Sequence, residues 1–176
     1  MDIKIFNGKK IKIRGLSKKD LKITKKFQDF INSLVKEDVQ ILINKEFSFE
    51  REKKWLGKNI ENVKNHKAVF LVAENNGIII GTASIDLDIW RKNHIGDFAI
   101  SIRKNYRGIG VGSYLIEEII KLAKKELKPR FIKLSVFSTN KPAMRLYKKY
   151  GFKEIAKIPK QIKYKGKLID EIIMMK

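Results

Sequence analysis

With 176 residues and 43% hydrophobic content, the chain has enough apolar material for one shared core, and a single domain over residues 1–176 is expected. The absence of cysteine excludes disulfides, thiolate metal sites and a cysteine nucleophile, and with His66 and His94 as the only imidazoles no metal site is expected. Lys and Arg number 40 against 19 Asp and Glu, a formal charge of +21 that attracts phosphates, nucleic acids or anionic surfaces.

The basic pairs beginning at Lys9, Lys18, Lys25, Lys53, Lys124 and Lys148 are scattered, so they read as a solvated Lys-rich surface and not as a nucleic-acid arm. The longest apolar run, residues 69–73, is too short to cross a bilayer, and Met1-Asp2-Ile3-Lys4 lacks the apolar stretch of a signal peptide. A soluble, cytoplasmic protein is expected. Abundant Lys and Ile without Cys also fit a heat-adapted source.

In chain order, residues 10–14 alternate with period two and predict a half-buried first strand. Ser17 and Asp20 have capping-box spacing, and a helix is expected through Leu21, Phe27, Phe30, Ile31 and Leu34. A second helix is predicted over residues 49–63, with Trp55, Leu56, Ile60 and Val63 on one face. The apolar runs 68–73 and 78–87 flank Asn75-Asn76-Gly77, a hairpin signal, because Asn and Gly tolerate positive φ. Residues 94–102 read as a further strand, and glycines follow it directly.

Val111, Leu115, Ile119 and Leu122 mark a helix ended by Pro129. A buried strand over 130–137, a short helix over 141–150 stopped by Gly151, and a hairpin around Lys165-Gly166 complete the chain. The order is α+β, with about seven strands and four helices.

The strand, turn and helix start formed by Ile100, Ser101, Ile102 and then Arg107-Gly108-Ile109-Gly110-Val111-Gly112-Ser113 aims several backbone N–H groups at one place. An anion suits that place, because the glycines admit close approach and the helix dipole favours negative charge. A phosphate-binding P-loop would need Gly-Lys-Ser/Thr, and Ser113-Tyr114 stand after Gly112 instead. A dinucleotide fold would want a carboxylate about 20 residues on, where the chain reads Val136-Phe137-Ser138. A purely structural strand-to-helix turn is the remaining alternative.

Arg107, Gly110 and Gly112 resemble the Q/RxxGxG/A signature of the GNAT acetyltransferases. Asn140, Ala143, Tyr147, Gly151 and Phe152 are similar to a later motif of that family, NxxAxxxYxxxGF, at the expected distance. The resemblance implies a mixed, strongly twisted central sheet whose middle strands splay apart to admit acetyl-CoA. It implies further that the backbone of Ile100, Ser101 and Ile102 binds the pantetheine arm, that residues 107–113 wrap the pyrophosphate, and that Asn140, Ala143 and Tyr147 close the thiol end.

Acetyl transfer from a thioester to an amine needs a neutral amine, a polarised carbonyl and a proton for the leaving sulfur. Tyr147 is the expected general acid, the alternative being a core aromatic with one hydrogen bond. The resemblance implies a carboxylate, often a Glu, in the strand before the turn, which makes the shorter Asp97 the expected general base, directly or through water, with Asp86, Asp88 and His94 as rivals. Glu46, Glu50, Glu52, Asp86 and Asp88 could offset the positive field near a cationic acceptor, although a charged helix edge explains the first three equally well. Trp55 and Trp90 could wall the acceptor pocket. Arg103, Lys104, Lys141 and Arg145 could meet the CoA phosphates.

The expected partners are acetyl-CoA and a primary amine, a ribosomal or other protein N-terminus included, with a homodimer open through the C-terminal hairpin edge. The competing reading is a basic RNA- or ribosome-associated protein that uses this fold without catalysis, recognisable by salt-sensitive RNA binding.

Overall fold

Three strand pairs close on the same turn chemistry. Asn7-Gly8 joins β1 (Asp2–Phe6) to β2 (Lys9–Gly15), Asn76-Gly77 joins β3 (Ala68–Asn75) to β4 (Ile78–Leu87), and Lys165-Gly166 joins β7 (Lys153–Tyr164) to β8 (Lys167–Met175). In all three turns both residues have positive φ, between 46° and 74°, as a two-residue turn matched to strand twist requires. The first hairpin raises the strand count from the expected seven to eight. Its Asn-Gly signal equals that of Asn76-Gly77, but β1 lies at the sheet edge with no buried side chain, so no apolar alternation announces it.

The computed structural model describes residues 2–176 and adds β5 (Ile95–Ile102) and β6 (Phe131–Phe137) between these hairpins, giving one sheet ordered β1-β2-β3-β4-β5-β6-β8-β7. All neighbours are antiparallel except β5 and β6, which run parallel. The free edges are β1 and β7. Strand β7 carries lysines, Pro159 and two register irregularities, features that discourage edge-to-edge pairing.

Four helices cover the two faces: α1 (Thr24–Lys36), α2 (Phe49–Lys64), α3 (Val111–Glu126) and α4 (Lys141–Lys149). Helix α3 buries Val111, Leu115, Ile116, Ile119, Ile120 and Ala123 against β3 to β6, in the same apolar layer as Met144 and Tyr147 of α4. Each fully buried Leu or Ile contributes roughly 1.5–3 kcal/mol, so this stripe anchors the start of α3 firmly. On the opposite face, Phe27, Phe30 and Leu34 of α1 pack with Leu56 of α2 on Phe70, Val72 and Ile79.

The first predicted helix begins as a tighter turn, Lys18–Ile23, before α1. Asp20 explains the change of winding. It accepts the Ser17 N–H at 2.8 Å and both terminal nitrogens of Arg14, at 2.9 Å and 2.6 Å, while Arg14 Nε donates to Glu74 at 3.1 Å. That cluster ties this turn to β2 and β3. Among the described residues, no helix is long and apolar enough to cross a membrane.

Gly96 leaves no room for a side chain. A Cβ there would lie 2.6 Å from Ile85 Cγ2 and 3.6 Å from Pro129 Cβ. Gly96→Ala is therefore expected to cost about 1–3 kcal/mol through overpacking, read as a lower denaturant midpoint with unchanged slope.

Candidate active site

Strands β5 and β6 are in register at three pairs only, Ile95 with Phe131, Gly96 with Ile132 and Asp97 with Lys133. Beyond Asp97 the two part, although β5 continues to Ile102 and β6 to Phe137. At the parting point the rings of Phe98, Tyr147 and Phe152 cluster with centroids 6.0–6.1 Å apart. The main-chain direction of β5 follows from one bond: the Arg103 N–H donates to Ile80 O of β4 at 2.9 Å. Alternation along a strand then turns the amide edges of Ile102 and Ile100 toward the gap. The Ile102 carbonyl accepts Arg107 Nε there at 2.7 Å.

The glycine turn closes one end of this gap. Gly108 (φ 73°) and Gly110 (φ 99°) hold left-handed conformations, and Gly110 caps α3. The Tyr114 N–H takes the Gly110 carbonyl, and the Arg107 N–H takes that of Lys104. Among the described residues, no protein acceptor takes the N–H groups of Gly108, Ile109, Gly110, Val111, Gly112 or Ser113. Those of Val111, Gly112 and Ser113 belong to the first helical turn and point out along its axis.

A Cβ on Gly112 would lie 3.2 Å from Ile102 Cδ1 and 3.6 Å from Leu146 Cδ2, so β5, the turn and α4 meet at this glycine. The first hairpin supports the turn from outside. Phe6 lies 3.4 Å from where a Gly110 Cβ would stand, Lys9 Nζ donates to Asn105 O at 3.0 Å, and Tyr106 OH donates to Asn75 at 2.9 Å.

The Arg107 side chain is committed to the protein. One terminal nitrogen donates to Glu37 Oε2 at 2.9 Å and the other pairs with Oε1 of the same carboxylate, so the guanidinium ties the turn to the end of α1. Arg103 also turns away, with Nε on Ile79 O at 2.8 Å and its guanidinium 5.7 Å from the Phe30 ring.

At the far side of the gap, Asn140 caps α4 by accepting the Ala143 N–H at 3.3 Å. Tyr147 follows two turns later, 9% exposed, and its hydroxyl has no protein partner among the described residues. Burial pushes that phenol up to about 12. A parallel strand pair that diverges at its carboxyl end, with an unsatisfied helix N-terminus on one side and a buried phenol on the other, makes a slot for a long phosphorylated ligand.

The sequence matches the acetyltransferase (GNAT) family over residues 36–152, more than half of the chain. The chain belongs to the GNAT acetyltransferase family. The L-amino acid N-acetyltransferase AaaT of Escherichia coli (strain K12) is 39% identical over 83 residues, covering 47% of this chain and 51% of that protein, so the matched stretch spans about half the relative's length. An acetyltransferase of the GNAT family from Streptococcus pneumoniae aligns with a TM-score of 0.82 and 29% identity over 94% of this chain and 98% of that one. The Salmonella typhimurium protein yncA, solved with its cofactor acetyl-CoA, shares the fold at a TM-score of 0.79 and 21% identity over 94% and 92% of the two chains.

The other face of this GNAT sheet carries the expected base, Asp97, and one of its rivals, Asp86. Asp97, Ala99 and Ser101 of β5 stand in register with Asp86, Ser84 and Thr82 of β4, which makes a polar row on the face covered by α1 and α2. At the outer end, Asp97 lies 3.7 Å from Lys133, and Asp86 accepts from Asn62 at 3.4 Å. Desolvation, the largest cause, raises both carboxyls.

At the inner end, a cavity of about 50 Å³ is bounded by Phe27, Phe30, Phe47 and Trp55, by Thr82 and Ser101, and by Glu52. Helix α2 buries Glu52, Leu56 and Asn59 at positions i, i+4 and i+7. Ile60 and Val63 are only partly buried and Trp55 is exposed by 38%, so the buried stripe is turned from the expected one toward Glu52. The spacing of Glu52, Leu56 and Asn59 was the available signal. Trp90, 84% exposed, is no part of this pocket.

Proposed function

We propose that this chain transfers the acetyl group of acetyl-CoA to a primary amine, directly, with both substrates bound together. The observation that carries the reading is the run of six uncommitted N–H groups from Gly108 to Ser113 beside the parted strands β5 and β6. A diphosphate satisfies those donors and complements the α3 dipole.

The pantetheine arm would lie along the amide edges of Ile100 and Ile102, taking the place β6 holds further back, with Ser101 between them on the opposite face. Asn140 and Ala143 order the first turn of α4 and so position Tyr147. The phenol is protonated at any ordinary pH, as its upward shift to about 12 requires, and donates to the departing sulfur. Arg107 acts by holding the turn through Ile102 and Glu37, and its role is positional.

For the proton that the nitrogen sheds once the C–N bond forms, Asp97 is the solvent-side acceptor. It stands four residues from Ser101, about 13 Å along β5 at roughly 3.3 Å per residue, so it would work through water along the Thr82, Ser84 and Asp86 row. A protein N-terminus, a ribosomal one included, falls within this substrate class, as do small free amines.

Equilibrium titration with acetyl-CoA, followed by detection of free CoA in the presence of amines, tests the proposal. Saturable binding and amine-dependent CoA release are expected. Absence of binding at high micromolar acetyl-CoA, together with RNA affinity that falls steeply with salt, would replace it with the nucleic-acid reading.

A further inference from the structure

The cavity on the α2 face holds a carboxylate with nothing to answer it. Glu52 is 2% exposed, and its Oε2 is the single buried side-chain polar atom without a hydrogen-bond partner among the described residues. Burial by itself, with no cation opposing it, pushes this carboxyl up to about 7. An unpaired buried carboxylate is costly to a fold, and a cation arriving beside it would offset that cost.

The cavity size restricts that cation. At about 50 Å³ it holds an ammonium head and the first part of its stem, since about 10–15 Å³ of such space suffices for a water molecule. The aromatic walls favour an apolar stem, and Thr82 and Ser101 supply the other polar atoms. Ser101 belongs to β5 between Ile100 and Ile102, so a head held here lies across that strand from the gap assigned to the thioester. The lining residues of α1, β4 and β5 include no charged side chain. Two cations, Arg51 on the Phe47 ring at 4.0 Å and Arg103 on Phe30 at 5.7 Å, stack against walls of the cavity, and burial is the one cause of the Glu52 shift.

We propose that Glu52 receives the acceptor's primary ammonium in this cavity and takes its first proton, and that the single carboxylate there selects monoamines on apolar stems over polyamines. The inference rests on the acetyltransferase reading and assigns its amine-binding residue. One N–H proton passes to Glu52 Oε2, and the freed lone pair forms the C–N bond at the acetyl carbon. The C–S bond breaks with its electron pair on sulfur, the nitrogen's second proton passes through water to Asp97, and CoA leaves as a thiolate hydrogen-bonded by Tyr147 and then protonated by solvent. Glu52 then returns its own proton to solvent.

Glu52→Gln keeps the shape and removes the base. With phenethylamine, a tripeptide with a free N-terminus and spermidine as probes, wild type should prefer the first two, and kcat/KM for the amine should rise with pH and level above about 7, where the carboxyl is ionised. In Glu52→Gln, acetyl-CoA affinity should be unchanged, kcat/KM for the amine should fall about 100-fold or more, and the acid limb should vanish. Glu52→Asp, should the Gln variant fail to fold, is expected to keep the limb at reduced kcat/KM.

An acid limb that survives in Glu52→Gln but is lost in Asp97→Asn, or a preference for spermidine, overturns the assignment while acetyl-CoA binding stands. Failure of wild type to bind acetyl-CoA sinks the enzymatic reading as well.

Discussion

Gly110→Val is expected to weaken acetyl-CoA binding by at least about 100-fold while the protein remains folded. Gly110 has φ 99° at the cap of α3, a conformation that costs an L-residue about 1–2 kcal/mol and a β-branched one more. A Cβ there would stand in ordinary contact with Phe6 Cδ1 at 3.4 Å, so the strain is conformational. The turn relieves it by rotating its peptide planes, which removes N–H groups from the common focus. A hydrogen bond to an ionised group is worth about 1.5–3 kcal/mol, so the loss of two, roughly 3–6 kcal/mol, corresponds to hundredfold to ten-thousandfold weaker binding.

Fold stability should suffer less, because α3 remains anchored by Leu115, Ile116 and Ile119. Isothermal titration beside a thermal melt separates the two effects. Unchanged affinity would show that the turn is only a structural corner.

The second large effect is expected from Tyr147→Phe, a fall in kcat of about 10²- to 10³-fold with little change in acetyl-CoA affinity or stability. Stability should hold, since the hydroxyl gives up no hydrogen bond to the protein and the ring contacts with Phe98 and Phe152 remain. The magnitude follows from comparing acidities. A phenol raised to about 12 by burial is a weaker acid than a thiol near 8.5, so complete transfer to a free thiolate is uphill by about 5 kcal/mol. Tyr147 therefore acts mainly by donating a hydrogen bond that strengthens as negative charge gathers on the sulfur. Because its shift is upward, its ionisation produces no pH dependence in the ordinary range, and the neutral-pH limb belongs to the carboxyl. Steady-state kinetics of the variant check this, and wild-type turnover would remove the phenol from the chemistry.

Much of the turn was legible from residues 107–113 alone, because its requirements are local. Positive φ at Gly108 and Gly110, a helix beginning at Val111 and an N-cap at Asn140 each depend on a few neighbours in the chain. The first hairpin was legible too, in Asn7-Gly8, but an edge strand without a buried face offers only its turn as a signal. Arg107 was placed correctly in the turn, yet its guanidinium is taken up by Glu37, a partner 70 residues away. Arg103, one of several cations that could meet the CoA phosphates, donates to Ile79 O and stacks on Phe30.

The sequence by itself determined the order of elements from β2 onward, the glycine turn at the start of α3, the spacing of Asn140, Ala143 and Tyr147, and the family to which these belong. Such features are set by backbone conformations that particular residues permit or forbid. The tertiary structure decided where β5 and β6 part, and which of the acidic residues near the start of α2 is removed from water. Glu50 and Glu52 are alike as letters and two positions apart. Helical rotation leaves the first in solvent and drives the second between α1 and the sheet, where desolvation changes its chemistry.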